Sequence, residues 1–414
     1  MFASLIAEME EVGMGWNAIE YEEVPWHIDP DERIGLSKTA RRKIGSTYRA
    51  AVPLTISGLS LSFSQDINDR IVDITTMLAR FDAEQRARGY DLPALLLRSE
   101  SAASSQIENL TSSVRNVAIA EISDQAPKNA QLVSGNIAAM KRALLTDGDL
   151  DIDSILAIHR VLINRCGQTF GGALRDEQVW VGGSAFSPHG ALYVPPRAER
   201  VPAYLDDLVA FACRADVNPV AKAAIFHAQF ETVHPFIDGN GRCGRVLVHK
   251  MLKDEGLLGQ TSLPVSAGLL HNIDGYMASL DAYHDGDYEA PVIQLLDALE
   301  IACVVGKMAA KRLDGVIEMW SSALTQRKGS SIYRLIDVLV EQPVVNRSYL
   351  ADRLQITTRA ASLLISTACE HGMLRPVGKS QRATFYQSDG VIEVLEDISD
   401  MHSLRRSLAT GMLA

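Results

Sequence analysis

The stretch that most constrains this chain is HPFIDGNGRCGR, His234 to Arg245. It joins two segments whose apolar residues recur at helical spacing, PVAKAAIFHAQFETV before it and RCGRVLVHKMLKDEG, which begins with its last four residues. Of its twelve residues only Phe236, Ile237 and Cys243 are obviously apolar, so it does not read as core. Pro235 disfavours helix at the residue before it, which ends the first segment at His234. DGNG then forms a loop, and a second helix starts from the glycines. The fold must therefore place a polar, glycine-rich turn between two helices.

A glycine-rich turn entering a helix N-terminus offers free backbone N–H groups and a positive dipole end, which together favour an anion. Arg242 and Arg245, three apart, project from one side of that first turn. Their guanidinium forks match phosphate oxygens, and so much positive potential suits several phosphates. Asp238 would repel such a cradle unless a divalent cation joined them; Mg²⁺ takes one or two carboxylates together with phosphate oxygens. His234 adds a group able to remove a proton near neutral pH. Base, metal ligand and polyphosphate cradle together describe transfer of a phosphorus-containing group from a nucleotide to a hydroxyl. A glycine pair alone marks ordinary turns. A structural metal shared by His234 and Asp238 would need helical geometry that Pro235 denies. The concurrence of all these positions is what points to a ligand.

HPFIDGNGRCGR resembles the signature of the Fic family, His-x-Phe-x-Asp/Glu-Gly-Asn-Gly-Arg-x-x-Arg, through His234, Phe236, Asp238, Gly239, Asn240, Gly241, Arg242 and Arg245. The likeness extends over roughly residues 60–300. It implies a protein adenylyltransferase that moves AMP from ATP to a Ser, Thr or Tyr hydroxyl of a target protein. His234 would be the general base and Asp238 the Mg²⁺ ligand. Gly239, Asn240 and Gly241 would embrace the α- and β-phosphates, with Arg242 and Arg245 beside them. Phe236 belongs to the nucleotide-binding set by its place in the motif, although its side chain suits anchoring the loop in the core. In GYMASL, Tyr276 occupies the place of a family tyrosine near the adenine, but Met277 follows where a second tyrosine is usual, so the match is partial.

SSQIEN resembles the family's inhibitory pattern, Ser/Thr-x-x-x-Glu-Asn/Gly, through Ser104, Glu108 and Asn109. If Glu108 pairs with Arg245, that arginine cannot hold the γ-phosphate. ATP would then bind with its α-phosphorus out of line, which costs orders of magnitude in rate.

The expected architecture is mainly α: a Fic-type helical bundle with a β-hairpin flap, plus a C-terminal winged helix-turn-helix domain. Residues 1–120 are expected to form a helical region bearing the inhibitory motif, 121–325 the catalytic core, and 328–414 the winged helix. Within the first region, 92–121 reads as one serine-rich helix, and the opening to about residue 60 as mixed and turn-rich. RDEQVWVGG and GALYVPP read as a hairpin over about 175–196, the flap, whose exposed edge can receive a target segment by strand addition. Residues 331–387 read as helix, helix, turn, helix and a basic hairpin. Arg375, Lys379 and Arg382 lie on the wing and Arg359 opens the recognition helix.

Charge sharpens the division. The chain carries a net −11, which argues against general nucleic-acid affinity. Residues 328–387 nevertheless hold eight Lys/Arg against four Asp/Glu, a local +4. That module can contact DNA, or serve as a protein-interaction or homodimer surface. Five scattered cysteines without a C-x-x-C pair indicate reduced thiols in a cytoplasm. No apolar run reaches membrane-spanning length, and the N-terminus lacks the basic region of a signal peptide. Three alternatives stay open: a DNA-binding transcriptional regulator whose pocket senses ATP, a Fic enzyme using another nucleotide, and one that removes AMP.

Overall fold

The computed structural model describes residues 16–26, 44–88, 90, 92–164, 169–184, 186–259, 262–378 and 385–399. Strands β1 (Glu20–Pro25) and β2 (Thr47–Val52) pair antiparallel, Glu20 opposite Val52 and Pro25 opposite Thr47. Helices follow: α1 (Gln65–Arg86), α2 (Leu92–Ile107), α3 (Val114–Ile122), α4 (Lys128–Leu145) and α5 (Ile152–Asn164). After a hairpin-like segment come α6 (Val201–Ala212), α7 (Pro219–Val233), α8 (Asn240–Asp254), α9 (Val265–His271), α10 (Ile273–His284) and the 35-residue α11 (Glu289–Ala323). The C-terminal part runs α12 (Ser331–Glu341), β3 (Val344–Val345), α13 (Arg347–Leu354), α14 (Thr358–Glu370), β4 (Arg375–Pro376), β5 (Tyr386–Gln387) and α15 (Asp389–Ser399). The protein is thus mainly helical with small β-elements. No helix among the described residues is long and apolar enough to cross a membrane.

Helix α7 is the axis of the bundle. Apart from Pro219 and Glu231 all its residues are buried, as expected of a helix apolar on every side. Asn218 caps its first turn, the side-chain oxygen accepting from Val220 N–H at 2.9 Å. Helix α8 packs back against α7, and α4, α5 and α11 close the bundle around the pair. The polar turn between α7 and α8 is thereby fixed at one end of a rigid two-helix unit.

Residues 92–121 are not one helix. Helix α2 ends at Ile107, because Asn109 takes the left-handed conformation (φ 59°). Asn109 N–H donates to the Gln106 carbonyl at 2.9 Å and Leu110 N–H to the Ser105 carbonyl at 2.9 Å, the paired bonds of a Schellman closure. Glycine and asparagine tolerate that conformation best, which gives a backbone reason for Asn109 following Glu108. Helix α3 restarts behind Ser113, whose hydroxyl accepts from Asn116 N–H at 3.3 Å.

The opening region is also more regular than its composition suggests, since β1 and β2 supply one another's partners. Strand β2 continues to the segment 177–196 through Ala51 N–H and the Val194 carbonyl, 3.0 Å. That segment turns back as a hairpin, yet among the described residues it pairs only at Val181–Tyr193 and Ser184–Ser187. Gly182 and Gly183, both at positive φ, interrupt any longer ladder.

In the C-terminal part, α12, α13, α14 and the strands follow the expected order, with β3 as an added strand. The sheet order is β3-β5-β4, both pairings antiparallel. Arg375 lies on β4, while Lys379 and Arg382 fall outside the described residues.

Candidate active site

His234 caps the C-terminus of α7 in a left-handed conformation, φ 50° and ψ 61°. Its Nδ1 lies 3.2 Å from the Glu231 carbonyl. A carbonyl can only accept, so Nδ1 carries the proton and Nε2 keeps its lone pair. Burial drives the imidazole down to about 4, the Glu231 carbonyl opposing this and the Arg175 cation reinforcing it. At neutral pH the ring is an uncharged proton acceptor.

The loop beyond it is held from inside. Phe236 is fully buried and stacks on His159, ring centroids 3.6 Å apart and nearly parallel. Its side chain therefore serves the core. Asn240 folds back on the same residue: its Oδ1 accepts from Phe236 N–H and its Nδ2 donates to the Phe236 carbonyl, both at 2.8 Å. The Asn240 side chain is thus committed to shaping the turn. Gly239 precedes α8 at φ 81°. A Cβ at Gly241 would stand 2.7 Å from Glu108 Oε1 and 2.8 Å from Arg245 Nη1, so it would displace the ion pair.

The two arginines are buried, 2% and 3% exposed, and Glu108 joins them. Arg242 Nε donates to Glu108 Oε2 at 2.6 Å, and Arg245 Nη2 to Glu108 Oε1 at 2.9 Å. Ser104 completes the grip: its hydroxyl accepts from Arg245 Nε and its carbonyl from Arg245 Nη2, each at 2.8 Å. One carboxylate from the end of α2 therefore spans both cations beside the N-terminus of α8, where an anion is favoured. Arg242 Nη1 remains buried without a partner. Arg242 Nη2 also reaches Asp238 Oδ1 at 3.3 Å, while the Asp238 side chain is half exposed.

Among the described residues no three His, Cys, Asp or Glu side chains gather as a metal site. Asp238 alone fits a cation that arrives with phosphate oxygens as its remaining ligands. Tyr276 lies on α10 and is buried, its hydroxyl 2.8 Å from His227 Nε2. It lines a small cavity with Arg245, Glu100 and Ser266, of about 20 Å³, which has room for a water molecule. Glu231, beside His227, is pushed up to about 7 by burial.

Two residues of the site escaped sequence reasoning. His159, on the buried face of α5, places Nε2 at 2.9 Å from the Asp238 carbonyl, while its Nδ1 accepts from Gly172 N–H at 3.0 Å. Burial lowers it to about 4. Arg175 donates from Nε to the His234 carbonyl at 2.8 Å. A histidine among the apolar positions of SILAIHRVLI was the available signal for the first. The second had none, because its partners are backbone carbonyls.

The geometry accords with the similarities of the chain. Residues 149–252 match the model of the Fic/DOC family. Protein adenylyltransferase fic-1 of Caenorhabditis elegans is 32% identical over 108 residues, covering 26% of this chain and 20% of that protein. A probable protein adenylyltransferase of Aquifex aeolicus is 41% identical over 70 residues, covering 17% of this chain and 22% of that one. The chain therefore spans about a fifth of the length of these curated relatives. Among solved structures, a Fic family protein from Desulfovibrio desulfuricans G20 shares the fold at TM-score 0.51 and 21% identity, over 80% of this chain and 98% of that one. The segment that holds His159, Arg175 and the whole turn from His234 to Arg245 is thus a Fic/DOC-family domain.

Proposed function

We propose that this protein transfers AMP from ATP to a Ser, Thr or Tyr hydroxyl of a protein target, and that the end of α2 restrains it. One observation carries the reading: an uncharged imidazole with a free Nε2 stands one turn from two buried arginines, and their shared counter-charge, Glu108, comes from another helix.

The N–H groups of the first turn of α8, with Gly239 and Gly241 leaving backbone open to approach, receive the α- and β-phosphates. Arg242 and Arg245 take the outer phosphate oxygens. The acceptor oxygen attacks the α-phosphorus, the bond from that phosphorus to the bridging β-oxygen breaks, and pyrophosphate leaves. The hydroxyl proton passes to His234 Nε2, whose orientation the Glu231 carbonyl fixes. A Mg²⁺ bound through Asp238 would neutralise phosphate charge as it shifts toward the leaving group.

Restraint is competition for the same cations. While Glu108 occupies both guanidinium groups, the γ-phosphate finds no partner and the α-phosphorus sits off line, for which a misplacement of about 1 Å suffices to lose ~10²-fold in rate. The regulator reading draws less support. Of the cations expected to meet DNA, Arg375 pairs within its own module with Asp389, as Arg353 does with Glu341. The winged-helix reading itself rests on the order α12-β3-α13-α14-β4-β5.

Intact-mass analysis of the Glu108→Gly variant incubated with ATP, Mg²⁺ and a cell extract tests the reaction class. Protein species heavier by one AMP are expected; species heavier by a phosphoryl group, or none, would overturn it.

A further inference from the structure

Arg175 is 3% exposed and makes no ion pair among the described residues. An uncompensated buried guanidinium is costly, and burial brings this one down to about 10. All three of its side-chain nitrogens instead donate to backbone carbonyls. Nε binds the carbonyl of His234 at 2.8 Å, Nη1 that of Glu177 at 3.1 Å, and Nη2 that of Val233 at 3.4 Å and that of Pro196. Its own N–H donates to the Pro235 carbonyl at 3.0 Å.

These carbonyls belong to two parts of the chain only. Val233, His234 and Pro235 form the turn that presents the imidazole. Glu177 and Pro196 are the two stems of the hairpin segment. A planar fork with donors along three sides can reach all of them at once, which the single ammonium of lysine cannot. The turn also needs an external hold. A non-glycine residue in the left-handed region costs roughly 1–2 kcal/mol, and such conformations persist where the surroundings over-determine them.

We infer that Arg175 is a positioning residue: by clasping the catalytic turn to both stems of the 177–196 hairpin, it sets His234 Nε2 at a fixed place relative to the acceptor chain. The inference rests on the AMP-transfer reading above. None of these contacts involves Gly239, Gly241, Arg242 or Arg245, the groups assigned to the phosphates, so the clasp governs the approach of the hydroxyl to the base and leaves nucleotide affinity alone.

The experiment uses the full chain in the Glu108→Gly background, with Arg175→Lys and Arg175→Gln as variants and Leu313→Ala, in α11, as a core control of comparable loss in Tm. Expected are a 10–100-fold fall in kcat for both variants, a KM for ATP within about twofold, and little change in kcat for the control. Imidazole NMR should show the His234 pKa rising in Arg175→Gln, where the cation is gone, and staying low in Arg175→Lys. If one variant does not fold, the other carries the comparison. A kcat loss matched by the Leu313→Ala control, or a KM that rises as far as kcat falls, would overturn the role. Absence of AMP transfer in Glu108→Gly alone would instead overturn the reaction, and an unmoved His234 in Arg175→Gln would still count against the clasp.

Discussion

The two arginines at the start of α8 and two ion-paired ones in the C-terminal module, Arg353 and Arg375, obey different rules. Arg242 and Arg245 have side chains 2% and 4% exposed and share one carboxylate, 134 and 137 residues away in sequence. Arg353 and Arg375 have side chains 52% exposed and each uses a carboxylate on its own module, 12 and 14 residues away. Exposed local pairs contribute little and are screened by salt. A buried cation pair whose one shared carboxylate comes from the end of another helix is different. It has a large electrostatic demand and a partner that can leave, so an anion of matching geometry can replace it. What sets this buried pair apart from the exposed one is a shared counter-charge that an anion of matching geometry could replace, not the number of arginines.

The largest expected effect removes the base that the proposed reaction requires. His234→Ala in the Glu108→Gly background should lower AMP transfer by about 10²–10⁴-fold without loss of ATP binding, read from initial rates and calorimetry. Because the folded imidazole is held down near 4, transfer should stay level through neutral pH and fall as pH drops toward 4 and the ring takes up a proton. Stability has its own window. Below about 6.5 the unfolded chain binds protons at His159, His227 and His234 that the folded chain refuses, so unfolding becomes easier as pH falls toward 4. Glu231 opposes this trend, since it is protonated up to about 7 in the folded state and its stabilisation fades as pH rises through that value.

Next comes the counter-charge. Glu108→Gly should raise transfer on the order of 10–10²-fold. It should also lower Tm, because it leaves buried Arg245 without its carboxylate and Arg242 with only the half-exposed Asp238; the loss belongs at the low end of about 3–5 kcal/mol, as Glu108 is partly exposed. Mg²⁺–ATP should recover much of it, a rescue the wild type would not show to the same extent.

A smaller effect lies on the far side of α2. Ser99 Oγ donates to the Ile398 carbonyl and Gln106 Nε2 to the Ser399 carbonyl, both at 3.2 Å, so the C-terminal module grips the helix that delivers Glu108. Losing one such bond is worth about 0.5–1.5 kcal/mol. Gln106→Ala should therefore raise basal transfer a few-fold, measured with α-labelled ATP. The smallest effect belongs to the exposed pair: Arg375→Ala should leave transfer unchanged and move stability by under about 1 kcal/mol in urea melts.

How much could be read from the sequence follows the distance over which each feature is built. The turn from His234 to Arg245 was legible because its parts are neighbours, each residue type tied to a local need. Ser104 and Glu108 were legible as a short pattern, and the structure brings both to Arg245. The break after Glu108 was missed because serines and helix formers run on past it; the left-handed Asn109 ends α2 there. The pairing of β1 with β2 was missed because neither strand alternates cleanly. Phe236 and Asn240 sit within the motif, yet the Asn240 side chain turns inward to the Phe236 backbone and the Phe236 ring stacks on His159, so both serve the turn itself. His159 and Arg175 act across 79 and 59 residues through carbonyls, which every residue possesses, so no residue type at the partner position announces them.

The competition between Glu108 and nucleotide phosphate is most directly tested by timing label transfer from α-³³P-ATP to protein with wild type and Glu108→Gly side by side. At least a tenfold faster rate in the variant, at equal nucleotide and metal, is the predicted result. Equal rates would show that the carboxylate between Arg242 and Arg245 holds nothing back.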